Sequence, residues 1–474
     1  MSQRILANLG FLLQIAGLLT IFPIVIGFYF NETQQLIPLF MTCITFLGCG
    51  FLLNSLAERK DLNFKSSSVL LLSAFIILPL IGAIPYIYSD PFNSANLLDR
   101  FTNSYFESAS GFTTTGFSFI TNTDALPKSM LTFRSLTELM GGVGIVFLIL
   151  AFFQSKKSIT KLGNTLGIDN LNGNLKKMFF SVFAIYGVYI ITFTAIFYFI
   201  GFTDILNTGT FVIDTITGGF QPNALQFQQY LLFIPKILII ILMLVGSVNF
   251  AFNYNLFTGK IKKMFSKEII LFFLIITFVS VAIFYIAKIE FVDSIFHVVS
   301  MASSTGYDYL NILTLNNTAI TMFITLIIIG GCTFSMAGGI RVSRLLTFGK
   351  SIGQAVKMTF IKEESPEDAY KETTKNFYEY FPAITSILLF ILLLIIFAML
   401  LTTMGISFTD AIFEVGSALS TNGVSMGATT VAMPIAYKWL MIAAMTIGRV
   451  EILTILIALI PIGIKKLEAQ RTKN

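Results

Sequence analysis

The fold is decided by three stretches with one pattern: NSYFESASGFTTTGF at 103–117, DSIFHVVSMASSTGY at 293–307 and DAIFEVGSALSTNGV at 410–424. Each begins with Asn or Asp, has Phe at its fourth position and Ser at its eighth, and ends with hydroxyl-rich residues before a glycine. A fourth stretch, DTITGGF at 214–220, fits only the end of the pattern. The aligned glycines are Gly116, Gly219, Gly306 and Gly423, which are 103, 87 and 117 residues apart. The chain therefore contains a fourfold repeat.

The surrounding sequence is that of a membrane protein. Of its 474 residues, 55% are hydrophobic and only 12% are charged, whereas about a quarter are charged in soluble proteins. Apolar runs long enough to cross a bilayer occur at ten places: 7–30, 36–56, 66–88, 130–153, 178–200, 230–252, 269–287, 318–347, 381–403 and 439–464. Four half-polar segments are too short to cross and suit re-entrant helices: 103–113, 205–216, 293–303 and 410–420.

The basic residues predict the orientation. If both termini are cytoplasmic, 24 of the 31 Lys and Arg residues fall on the inner side and six near the outer side. This bias agrees with the positive-inside rule. The net charge of +6 therefore fixes topology and does not indicate a nucleic acid partner.

The repeats indicate cation conduction. A short helix that ends in mid-membrane aims its carbonyl end, about half a negative charge, at the bilayer centre. The chain must then return through non-helical backbone, which is tolerated only where it is buried in protein or lines a water-filled path. Thr, Ser and Gly suit this return because glycine adopts dihedrals that direct carbonyl oxygens inward. Rings of such oxygens replace the hydration shell of potassium.

Further motifs resemble the TrkH branch of the Trk/Ktr/HKT superfamily of potassium transporters. They are ELMGGVGI from Glu138, GSVNFAFNY from Gly246, GGCTFSMAGGIRVSR from Gly330 and TIGRVEILT from Thr446. The resemblance implies an all-α membrane protein in which two transmembrane helices precede four span-loop-span (M1-P-M2) repeats around a pseudo-fourfold pore. It also implies a homodimer in the inner membrane of a prokaryote. A cytoplasmic, ring-forming, TrkA-like subunit that binds NAD or ATP/ADP would regulate it, and the chain itself would need no covalent cofactor.

The expected boundaries are 1–65 for the two leading helices and 66–177, 178–268, 269–380 and 381–474 for the repeats. The resemblance places a potassium filter at Thr113, Thr114, Thr115, Gly116, Phe117, Thr217, Gly218, Gly219, Phe220, Ser303, Ser304, Thr305, Gly306, Tyr307, Thr421, Asn422, Gly423 and Val424. Four central glycines go with a preference for potassium over sodium. Because Gly218 and Asn422 depart from the pattern, we expect an asymmetric pore with room for relaxed selectivity.

The span at 318–347 is interrupted by glycines and hydroxyl residues, which predicts a broken helix. The resemblance suggests that this stretch is a flexible gate below the filter, formed by Gly330, Gly331, Cys332, Thr333, Ser335, Gly338 and Gly339; the alternative is a tolerated kink. Arg449 lies inside the last span, where a charge costs roughly 2.5 to 3.5 kcal/mol. We expect it to face the pore or to bind the gate; the alternative is an ion pair with Glu138, Glu414 or Glu451.

Polar residues on the short segments are predicted to support the filter. Glu107, His297 and Glu414 stand nine residues before their glycines and suit scaffold groups better than ion ligands. Asn103, Asp293 and Asp410 suit helix caps. Carboxylates near the outer mouth, including Asp308 and Asp214, would also concentrate cations.

The sequence thus predicts a potassium uptake channel or transporter. The alternative is a secondary symporter that couples potassium to sodium or protons, with Glu138 as the best titrating carboxylate. An enzyme is disfavoured because the chain has one histidine and three scattered cysteines, so metal and nucleophilic clusters do not arise.

Overall fold

A computed structural model describes residues 3–56, 62, 64–152, 175–222, 230–310, 312–360 and 366–459. The predicted cytoplasmic lysines at 156, 157 and 161 and the predicted cytoplasmic C-terminus at 460–474 lie outside the described residues. The described residues form an α-helical structure whose helices follow the repeats.

The first two helices form a hairpin. Helix α1 spans Gln3–Tyr29 and α2 spans Thr33–Ser55. Gly10 and Gly50 let their backbones touch: a Cβ atom on Gly10 would lie 2.6 Å from the Gly50 carbonyl oxygen. Small residues commonly allow such close approach of helices in membranes.

Each repeat has a span, a short helix and a second span. Repeat 1 contains α3 (Phe64–Gly82), α4 (Ile84–Ser89), α5 (Leu97–Phe112) and α6 (Lys128–Phe152). Repeat 2 contains α7 (Leu175–Ile200), α8 (Ile205–Thr217), α9 (Phe233–Ser247) and α10 (Phe250–Phe257). Repeat 3 contains α11 (Lys267–Ala287), α12 (Phe291–Ser303), α13 (Asn317–Ile329) and α14 (Val342–Phe360). Repeat 4 contains α15 (Pro366–Thr402), α16 (Phe408–Leu419), α17 (Ile435–Val450) and α18 (Ile452–Leu459).

Three of the second spans are broken, and the sequence predicted only one of these breaks. The predicted interruption of 318–347 is present, because α13 ends at Ile329 and α14 begins at Val342. The expectation of continuous spans at 230–252 and 439–464 was wrong. The chain bends by 111° between α9 and α10 and by 93° between α17 and α18. Hydropathy does not register a bend when both arms are apolar.

The repeats pack in a ring. Each short helix contacts the second span of the preceding repeat: α8 packs on α6, α12 on α9, α16 on α13, and α5 on α17. The last contact joins repeat 4 to repeat 1. The four short helices therefore surround one axis.

Lysines in the first turn of three second spans bond to the neighbouring repeat. The ammonium groups of Lys128, Lys236 and Lys438 donate to the next repeat's short-helix side chains, Asp204 (2.8 Å), Asp293 (2.5 Å) and Asn103 (2.7 Å) respectively. Partial burial alone would raise the pKa of Asp204, but hydrogen bonds from Lys128 and the backbone lower it below its ordinary value. Three of the cations that the sequence placed near the outer side thus help to close the ring.

Candidate ion filter and the loop beneath it

The four aligned glycines meet at the centre of the ring. All have left-handed backbones, with φ of 81° at Gly116, 79° at Gly219, 72° at Gly306 and 83° at Gly423. A Cβ atom on each would collide with a carbonyl oxygen of the residue just before the next repeat's glycine: Gly218 for Gly116, Thr305 for Gly219, Asn422 for Gly306 and Thr115 for Gly423. The contacts run from repeat 1 to 4 and back to 1, so the four segments form a closed ring of backbone.

In three repeats the residue two positions before the glycine also has an unusual backbone conformation. Thr114, Ser304 and Thr421 have φ of 54°, 59° and 50°, a region that non-glycine residues seldom occupy. In repeat 2 the equivalent residue, Thr217, still belongs to helix α8, and Gly218 follows with extended backbone (φ 178°). The backbone of repeat 2 therefore differs from that of the other three repeats just before the glycine.

Side chains in the ring bond mainly to backbone and to each other. Thr113 and Thr115 hydroxyls are 2.7 Å apart, and the equivalent pair in repeat 3, Ser303 and Thr305, is 2.9 Å apart. Other side chains link repeats. Thr305 donates to the Thr215 carbonyl (3.2 Å), the Tyr307 hydroxyl donates to the Phe220 carbonyl (3.4 Å), and the Asn422 amide donates to the Met301 carbonyl (2.9 Å). These bonds fix the hydroxyl groups of Thr113, Ser303 and Thr305 and the amide nitrogen of Asn422.

Glu107, His297 and Glu414 brace three of the four segments. Each is fully buried and accepts the backbone N–H of the residue three positions beyond its glycine: Phe119 (3.0 Å), Tyr309 (3.4 Å) and Met426 (2.8 Å) respectively. Glu107 also pairs with Arg134 (2.9 Å). These contacts agree with the scaffold role predicted for the three side chains.

The predicted helix caps were wrong. The N-caps of α5, α12 and α16 are Asn96, Glu290 and Ser407, so Asp293 and Asp410 are the third helical residues. Asn103 lies within α5 and takes part, like Asp293, in the lysine ties. In repeats 1 and 3 the Asn or Asp of the pattern therefore marks a contact between repeats and not a helix start.

Residues 330–339, here called the glycine loop, separate α13 from α14 and lie against the filter segments. The Gly338 N–H donates to the Ser304 hydroxyl (3.1 Å), and a Cβ atom on Gly338 would collide with the Ser420 carbonyl. Cys332, Ser335 and Met336 are buried. The loop is therefore enclosed by protein directly beside the ring, as irregular backbone in a membrane must be unless it lines a cavity.

Arg449 is bonded to the glycine loop. The residue is 3% exposed, and its guanidinium donates to the carbonyl oxygens of Met336 (2.8 Å) in the loop and Gly141 (3.1 Å) in α6. The expectation that Arg449 contacts the loop's carbonyls agrees with this geometry. Glu451, weighed as a partner for Arg449, instead pairs with Arg341 (3.0 Å) and Arg344.

The pairing of Arg341 with Glu451 joins two helix breaks and was not predicted from the sequence. Arg341 ends the break in repeat 3 and Glu451 sits at the break in repeat 4, and both have left-handed backbones (φ 76° and 67°). Their side chains are 8% and 28% exposed. Only the bends, which hydropathy does not reveal, bring these charges together.

Comparison with known proteins supplies a family context. A family model, TrkH, described as a cation transport protein, matches residues 268–464. An uncharacterized cation transporter from Methanocaldococcus jannaschii is 30% identical and covers 96% of this chain and 94% of its own length. The Trk system potassium uptake protein TrkH of Escherichia coli K12 is 23% identical, and the match covers 85% of this chain and 87% of that protein. The crystal structure of the potassium transporter TrkH from Vibrio parahaemolyticus matches with a TM-score of 0.80 at 20% identity. The match covers 97% of this chain and 99% of that chain.

Proposed function

We propose that this chain, which belongs to the TrkH family of cation transport proteins, takes up potassium through a filter of backbone carbonyls in the membrane of a prokaryote. Its relatives include potassium uptake proteins of Trk systems, which supports potassium as the transported ion. The family context also supports a transporter over an enzyme.

One observation carries the filter proposal: the closed ring in which each glycine faces a carbonyl of the next repeat. Four segments that present main-chain oxygens around one axis offer a dehydrated cation several ligands at once. The left-handed glycines allow this approach because they have no Cβ atom. In this proposal, potassium binds at the eighteen filter residues named from the sequence.

Substitution of a filter glycine tests the proposal. A serine at Gly116 would place its Cβ 2.5 Å from the Gly218 carbonyl in a left-handed backbone, so the ring must shift. We expect the potassium-over-sodium permeability ratio in proteoliposomes to fall about tenfold, equivalent to about 1.4 kcal/mol. Gly187→Ser is the matched control, because a Cβ atom there meets nothing within 4 Å. An unchanged ratio for Gly116→Ser would reject the filter.

The same flux assay addresses coupling. In a channel, potassium flux follows its own gradient and carries no protons or sodium. A symporter would move one of these ions in fixed proportion. Potassium uptake with a trapped pH indicator and a sodium tracer in the liposomes therefore separates the two modes, and a fixed stoichiometry would replace the channel proposal with symport.

We assign gating to the glycine loop and Arg449, under control of a cytoplasmic, ring-forming, TrkA-like subunit that binds NAD or ATP/ADP. The loop's position beside the filter segments and its bond to Arg449 support a gate. The proposed assembly is a homodimer with both termini cytoplasmic. Flux measured with and without the purified ring subunit and each nucleotide tests the regulation, and light scattering in detergent tests the dimer. Flux that never responds to the subunit would reject this part.

A further inference from the structure

Repeat 2 lacks the brace that the other repeats carry. Nine residues before Gly219 stands Thr210, whose hydroxyl donates to the Asn207 carbonyl (2.9 Å). Three residues after Gly219 stands Pro222, which has no N–H to donate. The contact made by Glu107, His297 and Glu414 is therefore chemically impossible in repeat 2.

A carboxylate from repeat 1 takes over this role. Glu138, on α6, accepts the Phe220 N–H through Oε1 (3.1 Å) and the Thr217 hydroxyl through Oε2 (3.2 Å). It is fully buried. The two donors flank Gly218 and Gly219. One side chain therefore bonds to both ends of the segment whose backbone differs from that of the other three repeats.

The equivalent positions on the second spans of repeats 2 and 4 are apolar. Gly141, Gly246 and Gly448 each lie against the carbonyl near the end of their own repeat's short helix, which aligns the three spans. Three residues earlier stand Glu138, Met243 and Met445; both methionines are fully buried. These methionines lie on the spans that precede repeats 3 and 1, which have His297 and Glu107 as their own braces. Among these three spans, a carboxylate stands at this position only on the one that precedes repeat 2, where the residue three positions beyond the glycine has no N–H for a side chain of the repeat's own short helix to accept.

We infer that Glu138 is a positioning residue that sets the carbonyls of repeat 2 and thereby the selectivity for potassium. This inference rests on the proposed filter. Glu138 does not contact the ion; it acts by fixing the Thr217–Phe220 segment, whose N–H would otherwise be buried without an acceptor.

The test compares two substitutions by proteoliposome flux. Glu138→Met copies the equivalent positions and removes the acceptor, so we expect the potassium-over-sodium ratio to fall about threefold to tenfold, since an unpaired buried N–H is costly. Glu138→Gln keeps an oxygen for the Phe220 N–H. In the original chain the Thr217 hydroxyl is shared between Glu138 and the Ile213 carbonyl (2.8 Å). In the Gln variant that hydroxyl can donate to Ile213 alone, and the Gln amide can donate to the Thr217 oxygen. The Gln variant should therefore stay within about twofold of the original ratio, because both contacts remain possible.

Two controls separate the inference from the function on which it rests. Glu290→Gln makes the same chemical change at an exposed helix start whose side chain makes no cap hydrogen bond, and the ratio should not change. Gly116→Ser reports on the filter itself. If Gly116→Ser lowers the ratio and Glu138→Met does not, the positioning role is overturned and the filter stands. If neither lowers it, the filter fails and the inference with it.

Loss of selectivity in the Met variant with recovery in the Gln variant supports the positioning role, because a requirement for the negative charge itself would affect both variants. An equal loss in both variants would overturn it. Should Glu138→Met not fold, Glu138→Ser takes its place with the same expectation, since serine is too short to reach Phe220.

Discussion

Removal of the Arg449 side chain should open the proposed gate. Of its two hydrogen bonds, the one to Met336 ties the glycine loop to α17, whereas the one to Gly141 joins α17 to α6. Only the first is lost when the loop moves. A hydrogen bond from a charged donor contributes about 1.5 to 3 kcal/mol, and each 1.4 kcal/mol changes an equilibrium about tenfold. Arg449→Ala should therefore raise the open-to-closed ratio about tenfold to a hundredfold.

The assay is initial potassium flux into liposomes without the regulatory subunit. Arg449→Lys keeps a positive charge beside the pathway but has shorter reach and no planar fork, so its flux should lie between that of the original chain and Arg449→Ala. A Lys variant as slow as the original would mean that charge alone limits conduction. Lys262→Ala, at an exposed position, controls for the loss of one cation. Unchanged or slower flux in correctly folded Arg449→Ala would refute the gate role.

Two further predictions concern the brace and the outer mouth. Glu414 accepts hydrogen bonds from Ser425, Met426, Ala428 and Thr429, so Glu414→Ala should lower the free energy of unfolding by at least about 3 kcal/mol; equal melting temperatures in detergent would contradict this. Burial raises the pKa of Asp308, in the segment just beyond the filter, to about 6, so its charge is lost as external pH falls through 6. The apparent KM for potassium should then rise about twofold or more between pH 7 and pH 5, and Asp308→Asn should abolish this dependence; an unaltered dependence in that variant would exclude Asp308.

Much of the ring could be predicted because its determinants are local. A half-length segment, hydroxyl residues and a glycine at a regular period specify a re-entrant helix followed by unusual backbone, and the glycines at 116, 219, 306 and 423 do have left-handed φ. The broken span at 318–347 was also visible, since its glycines lie next to one another in the sequence. Each of these features is encoded within about 15 residues.

Contacts between repeats were not visible in the same way. The Lys438–Asn103 bond joins residues 335 positions apart, and the Glu138–Phe220 bond joins residues 82 apart. A single buried glutamate in an apolar span indicates function. From the sequence, Glu138 is the best candidate for proton coupling. The structure shows a different role. Pro222 has no N–H at the position where the other repeats donate to their own short helix, and the carboxylate of Glu138, on the neighbouring span α6, accepts the Phe220 N–H instead.

The break between α9 and α10 and the glycine loop satisfy each other's backbone hydrogen bonds. Where α9 ends, the carbonyls of Gly246 and Ser247 accept the N–H groups of Met336 and Cys332 (3.0 Å each), and the Phe250 N–H donates to the Phe334 carbonyl (3.0 Å). The loop therefore supplies the partners that the bent helix has lost, and unpaired backbone groups are not tolerated in lipid. If the loop moves, these groups must find water. If the loop is the proposed gate, its opening requires that water enter beside the proposed filter at the same moment and hydrate these backbone groups.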